Sequence, residues 1–172
     1  MSFARPGWLR TWPTALVVNL ATLGPLGRKL PAPGTWGSLA GVGYTAAVVP
    51  LLGVWGTLGL SVIAGYLAVG ICGEAEVRLG KRDPGEVVLD EFVVMPLCFL
   101  GWAGLVAGDW PAWAVLAAGF GVFRFFDILK PLGISRLQRL PGGWGVVVDD
   151  AAAALATCVV LHAAVWAWGL RG

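Results

Sequence analysis

Long apolar runs alternate with two kinds of connection along this chain. Five runs approach the roughly 20 residues that a bilayer core requires: 36–54, 57–77, 87–107, 112–128 and 146–169. Two connections, GVWG at 53–56 and GDWP at 108–111, are short and nearly uncharged. The others, GPLGRKLPAPGT, RLGKRDPGE and KPLGISRLQRLPGG, are longer and charged. The pattern predicts an all-α polytopic membrane bundle of about five transmembrane helices. Residues 15–23 form a shorter run, interrupted by Asn19 and Thr22. That run reads as an interfacial helix with Trp8 and Trp12 at headgroup level, rather than a signal peptide.

Composition agrees with a membrane solvent. Hydrophobic residues make up 58% of the chain and charged residues 13%, about half the usual charged share of a soluble domain. The length of 172 residues suits one membrane-embedded domain over 1–172. A net charge of +2 points to no nucleic-acid partner. Cys72, Cys98 and Cys158 lie far apart in apolar runs and read as packing residues, not as a disulfide framework or a zinc site.

Charge distribution says more than net charge. Arg28, Lys29, Arg78, Lys81, Arg82, Arg124, Lys130, Arg136 and Arg139 fall in or beside the longer connections. Basic residues stay on the cytoplasmic side, so that face should be cytoplasmic, with the C-terminus and Arg171 outside. Gly37, Gly41, Gly43, Gly65 and Gly70 offer small surfaces for close helix approach. The tryptophans mark run ends, as an aromatic belt does.

The acids change the picture most. Asp109 sits in a short connection, whereas Glu74, Glu76, Asp83, Glu86, Asp90, Glu91, Asp127, Asp149 and Asp150 all lie near the inner ends of four runs. An ionised group at membrane depth costs about 2.5–3.5 kcal/mol even by low estimates. Such a cluster needs neutralising by protons, by arginines or by a hard divalent cation. Basic residues on the same face add anion-binding capacity, a mixture that suits phosphoryl chemistry.

Single positions carry plainer readings as well. DPGE at 83–86 matches a helix start with Asp83 as N-cap. Glu74 and Arg78 are spaced to pair on one helix face. Asp90 and Glu91 fall a turn or two inside the third run, too late for a cap. Arg124, Asp127 and Lys130 form one charged stripe, and Asp149 and Asp150 an adjacent pair near the start of the last run. In GTWGS at 34–38, Thr35 can cap the first span, and Gly34 and Gly37 leave N–H groups approachable by an anion.

Taken together, PAPGTWGSLAG, AEVRLGKRDPGEVVLDEFV, FRFFDILKP and GGWGVVVDDAAAA resemble, in order and spacing, the blocks of the A-type phosphatidylglycerophosphatases. The resemblance runs from about residue 20 to 154. It implies a small helical bacterial protein of the cytoplasmic (inner) membrane. It also implies Mg²⁺-dependent removal of the terminal phosphate from phosphatidylglycerophosphate, a phospholipid substrate, to give phosphatidylglycerol. FVVM at 92–95 is bulkier than the small residue expected after the acidic pair. Carried over by position, the resemblance points to Glu74, Asp83, Asp90, Glu91, Arg124, Asp127, Lys130, Asp149 and Asp150, with Thr35 and Ser38. The roles expected are Mg²⁺ on Asp90, Glu91, Asp149 and Asp150, and substrate on Thr35, Ser38, Arg78, Arg124 and Lys130. The catalytic set expected is Glu74, Asp90, Asp127 and Asp150.

Other readings are weaker. Cys72 and Arg78 fit the C-x5-R spacing of cysteine phosphatases, but Glu74 and Glu76 inside the loop oppose a thiolate. His162, the one histidine, lies far from the acids and reads as a polar packing or interfacial residue. The alternative from another class is an ion- or proton-coupled transporter using the same acids; its carboxylates should occupy both halves of the bilayer.

Overall fold

The computed structural model describes residues 6–107 and 110–170; Asp109 and Arg171 lie outside the described residues. No strand occurs among them. A 3₁₀ turn (Gly7–Thr11) precedes α1 (Thr14–Ala21) and α2 (Pro25–Lys29). The long α3 (Pro33–Leu79) follows, then α4 (Leu89–Val94), a 3₁₀ turn (Met95–Phe99) and α5 (Trp102–Leu105). After these come α6 (Ala112–Leu129), a 3₁₀ turn (Ile134–Arg139) and α7 (Gly143–Gly169). Three helices, α3, α6 and α7, are long and apolar enough to cross a membrane.

The first two predicted runs are one helix by hydrogen bonding, broken at Gly53, whose φ of 61° and ψ of −173° are not helical. Gly reaches that conformation without a Cβ penalty, and Pro50 just before it cannot donate a helical hydrogen bond. Both arms of α3 reach the α4 region. Gly37 and Gly41 in the first arm meet Val88, Phe92 and Met95, while Ser61 and Val69 in the second share a groove with Val94 and Leu97.

The third run is not one helix. Residues 87–107 fold as α4, a 3₁₀ turn and α5, with Pro96 in the turn and Gly101 at φ 76°. Hydropathy predicts the burial of this segment but not its breaks. Its turn is fully inside the protein, from Met95 to Phe99, and its corner is held by His162, whose Nε2 lies 2.7 Å from the Leu100 carbonyl. His162 is itself exposed and holds this corner from the surface, which fits the interfacial side of the expectation. The bulky FVVM stretch fits because Gly37 and Gly41 yield space and Tyr44 stacks on Phe92 at 5.0 Å.

Of the glycines expected at close contacts, Gly37, Gly41 and Gly70 are tight, Gly65 is in ordinary contact and Gly43 faces open space. At eight residues, α1 spans about 12 Å, too short to cross a bilayer. It buries Val17 and Ala21 and lies against α3 and α4. Trp8 is exposed beside it.

Two capping expectations fail. The N-cap of α3 is Ala32, and Thr35 makes no side-chain cap bond. DPGE starts no helix: Asp83 has φ 46° and α4 begins at Leu89 with Val88 as N-cap. Buried Pro84 instead anchors a loop in which the Val87 N–H donates to the Pro84 carbonyl. Asp90 and Glu91 therefore sit in the first turn of α4, where helix polarity favours negative charge, rather than deep inside a span.

Candidate active site

Charged side chains from four segments converge at one end of the bundle. A cavity of about 240 Å³ is lined by Asp83 and Gly85 of the loop before α4, Asp90 and Glu91 of α4, Arg124, Asp127 and Lys130 of α6 and its cap, and Asp149 and Asp150 of α7. Gly34 of α3 completes the wall. Asp90, Asp127, Asp149 and Asp150 are all buried.

Backbone contacts fix this convergence. At the start of α7, a Cβ on Gly143 would collide with the Val69 carbonyl of α3, so glycine allows the two backbones to touch. That contact sets the depth of Asp149 and Asp150 two turns later. At the end of α6, Lys130 takes the left-handed C-cap conformation, and its ammonium turns into the cavity. It donates to Asp149 and lies 3.7 Å from Asp150 and 3.6 Å from Asp127.

A second cation organises the other wall. Arg124 Nη1 donates to Asp127 at 2.7 Å, to Glu91 at 3.0 Å and to the Ser38 hydroxyl at 3.2 Å. Ser38 in turn hydrogen-bonds Glu91. A Cβ on Gly34 would strike the Glu91 carboxylate and lie 3.2 Å from Arg124. The GTWGS segment thus acts through Gly34 and Ser38, which hold the Arg124–Glu91 pair, while Thr35 stays outside the lining.

Charge balance in the cavity is lopsided. Six acids face two bases, a formal charge of −4. At Lys130 burial works to lower the pKa, but Asp150, Asp149 and Asp127 together raise it, so the ammonium stays charged. Asp90 Oδ1 and Asp149 Oδ1 are buried with no hydrogen-bond partner.

Besides Thr35, and Ser38, which touches the site only through Glu91 and Arg124, two more expected site residues lie outside the lining. Glu74 and Arg78 pair at 3.0 Å, as their spacing predicts, but neither lines the cavity. Arg78 also donates to the carbonyls of Trp12 at 2.7 Å and Leu9 at 2.8 Å. It straps the N-terminal segment onto α3. Cys72 is fully buried and does not line the cavity, so its thiol is closed to a substrate, which removes the cysteine-phosphatase reading. Sequence reasoning read Asp83 first as a cap, and only the family resemblance marked it as functional; the left-handed turn that aims it into the cavity leaves no local sequence signal beyond the Pro and Gly that follow.

A family model described as Phosphatidylglycerophosphatase A matches residues 19–165. A Haemophilus influenzae protein named phosphatidylglycerophosphatase A is 37% identical over 134 residues, covering 77% of this chain and 78% of that protein. Its Escherichia coli namesake is 34% identical over 134 residues, covering 76% and 72%. A putative phosphatidylinositol-3-phosphatase of Bacteroides thetaiotaomicron is 34% identical over 145 residues, covering 80% and 86%. No solved structure matches. The matched stretch takes in every residue that lines the cavity, and the chain belongs to the phosphatidylglycerophosphatase A family.

Proposed function

We propose that this protein hydrolyses the terminal phosphate monoester of phosphatidylglycerophosphate, giving phosphatidylglycerol and phosphate, in the cavity between α4, α6 and α7. The observation that carries the reading is the convergence of Asp90, Asp127, Asp149 and Asp150 with Arg124 and Lys130 in one cavity. Family membership supplies the reaction class. The transporter alternative finds no support: among the described residues the buried carboxylates crowd one end, whereas the other ends of α6 and α7 carry Trp113, Trp166 and Trp168.

A divalent cation, Mg²⁺ in our reading, fits this residue set. The donors are all carboxylate oxygens, which hard cations prefer. Two buried oxygens, on Asp90 and Asp149, lack partners, and the surplus of four negative charges needs a counter-ion. No three acids are drawn into a ready-made metal cluster among the described residues. An ion held by two of Asp90, Asp149 and Asp150 would therefore take the rest of its coordination from phosphate and water, as Mg²⁺ commonly does. Such an ion supplies positive charge against the oxygens of the transferring phosphoryl group. Glu91, bound by Ser38 and Arg124, serves to orient Arg124 rather than to hold metal.

The protein's own groups do the rest. Lys130 and Arg124 bind the phosphate and counter the charge that builds on its oxygens. Asp127 lies between them and fixes their separation, which lowers the entropy cost of placing the monoester. Phe125, Ile128, Leu129 and Leu132 are exposed on the same end of α6, a surface that lipid tails can cover while the headgroup enters.

The topology follows from the ends. The charged end is cytoplasmic on this reading, since exposed Arg28, Lys29, Lys81, Arg82, Arg136 and Arg139 lie in the connections at that end and basic residues stay on the cytoplasmic side. The chain crosses five times: in both arms of α3, in the broken segment from Asp90 to Leu105, in α6 and in α7. Phosphate release from phosphatidylglycerophosphate by purified protein in detergent, with Mg²⁺ and then with chelator, tests the proposal. Release that requires the metal is expected; no release with Mg²⁺ present ends it.

A further inference from the structure

The cavity contains one acid unlike the others. Glu91 is tied to Ser38 and Arg124, Asp127 lies between Arg124 and Lys130, and Asp149 accepts from Lys130. Asp90 and Asp150 are buried at the centre of the cavity charge. Asp83 alone is exposed, at the rim of the same lining. Its side chain meets only the Gln138 amide, at 3.5 Å. A base must offer a free lone pair to water and must release its proton again. Asp127 cannot, because two cations occupy its oxygens, and Glu74 lies outside the lining.

The backbone holds Asp83 in that position. Its φ of 46° is a conformation that Asp and Asn tolerate better than other side chains. Its N–H donates to Glu76 Oε1 of α3 at 2.7 Å. Arg82 beside it donates to the Gln138 carbonyl at 2.8 Å, and Pro84 after it is buried. A loop acid fixed on three sides, in a costly turn, is placed for use rather than left to solvent.

Resting on the phosphatase reading, we propose that Asp83 is the proton acceptor for the attacking water. The water oxygen bonds to phosphorus as one of its protons passes to the Asp83 carboxylate. The bond from phosphorus to the glycerol oxygen breaks, and that oxygen keeps the electron pair. Asp83, at the exposed rim, then releases the proton to solvent, and the departing oxygen, on the opposite side of phosphorus, takes a proton from solvent. The products are a glycerol hydroxyl and hydrogen phosphate, and Asp83 is a carboxylate again. The groups around it are Glu76 of α3, Arg82 and, in the 3₁₀ turn, Gln138, with Asp90, Lys130, Asp149 and Asp150 in the same lining.

Asp83→Asn tests this, since Asn keeps the shape, the turn and the N–H bond but not the proton affinity. In purified protein with Mg²⁺ and phosphatidylglycerophosphate, kcat should fall about 100-fold or more, with KM little changed. Asp83→Glu, which keeps a carboxylate, should retain clearly more activity than Asp83→Asn. The Mg²⁺-dependent rise in Tm should persist, because the ion is held by other acids. Near-wild-type kcat in Asp83→Asn overturns the proposal. So does loss of the Mg²⁺ effect on Tm, which would make Asp83 a ligand, and so does a lower kcat accompanied by a lower Tm in chelator, which would make it structural. Wild-type protein that releases no phosphate overturns the functional reading itself, before any variant is made.

Discussion

The protein buries charge in two places, and they are built differently. Near the N-terminal segment, Glu74 pairs with Arg78, and Arg78 also donates to the carbonyls of Leu9 and Trp12. Between α4, α6 and α7, six acids share two bases. The first cluster joins two parts of the fold and asks for nothing from outside. The second leaves buried carboxylate oxygens without partners and has need of a counter-ion. Buried charge alone does not mark a site; the surplus does.

The sharpest way to break that comparison is to remove the surplus. Asp90→Asn and Asp150→Asn should each lower phosphate release by about 100- to 1,000-fold and abolish the Mg²⁺-dependent rise in Tm, read by activity and by thermal melting. Next comes Lys130→Met, which takes away one of the two cations. The expected loss is about 100-fold in kcat/KM, measured on the same lipid substrate.

Arg78→Met probes the other cluster and should give the reverse pattern. Breaking a buried, hydrogen-bonded pair costs about 3 kcal/mol, so Tm should drop while kcat of the folded fraction stays near wild type. A large kcat loss without a change in Tm would move Arg78 back into the site, as the sequence suggested.

The smallest effect is on pH. A divalent ion competes with protons for carboxylate oxygens, so the Tm gain on adding Mg²⁺ should grow from acid to neutral pH. An equal gain at both would contradict the placement of the ion among Asp90, Asp149 and Asp150.

Much of this was legible in sequence because membrane burial is expensive for charge. Nine acids near one depth predicted a convergence, and six of them, Asp83, Asp90, Glu91, Asp127, Asp149 and Asp150, line one cavity with Arg124 and Lys130, while Glu74, Glu76 and Glu86 do not. The i,i+4 spacing of Glu74 and Arg78 foretold their pairing but not that Arg78 would reach back to Leu9 and Trp12, a contact across 66 or more positions. Hydropathy foretold an apolar segment at 87–107, yet a segment buried by protein and one bathed in lipid read alike, so the breaks around Pro96 and Gly101 were hidden. The capping pattern of DPGE misled because buried Pro84 and the turn at Asp83 serve the loop instead.

The central claim is that the surplus carboxylates hold a divalent ion. Mn²⁺, a spectroscopic substitute for Mg²⁺, can be titrated into purified protein and followed by electron paramagnetic resonance. The account predicts saturable binding in wild type and in Arg78→Met, lost when Asp90 and Asp150 are both replaced by Asn. Equal binding in that double variant, or none in wild type, would contradict it.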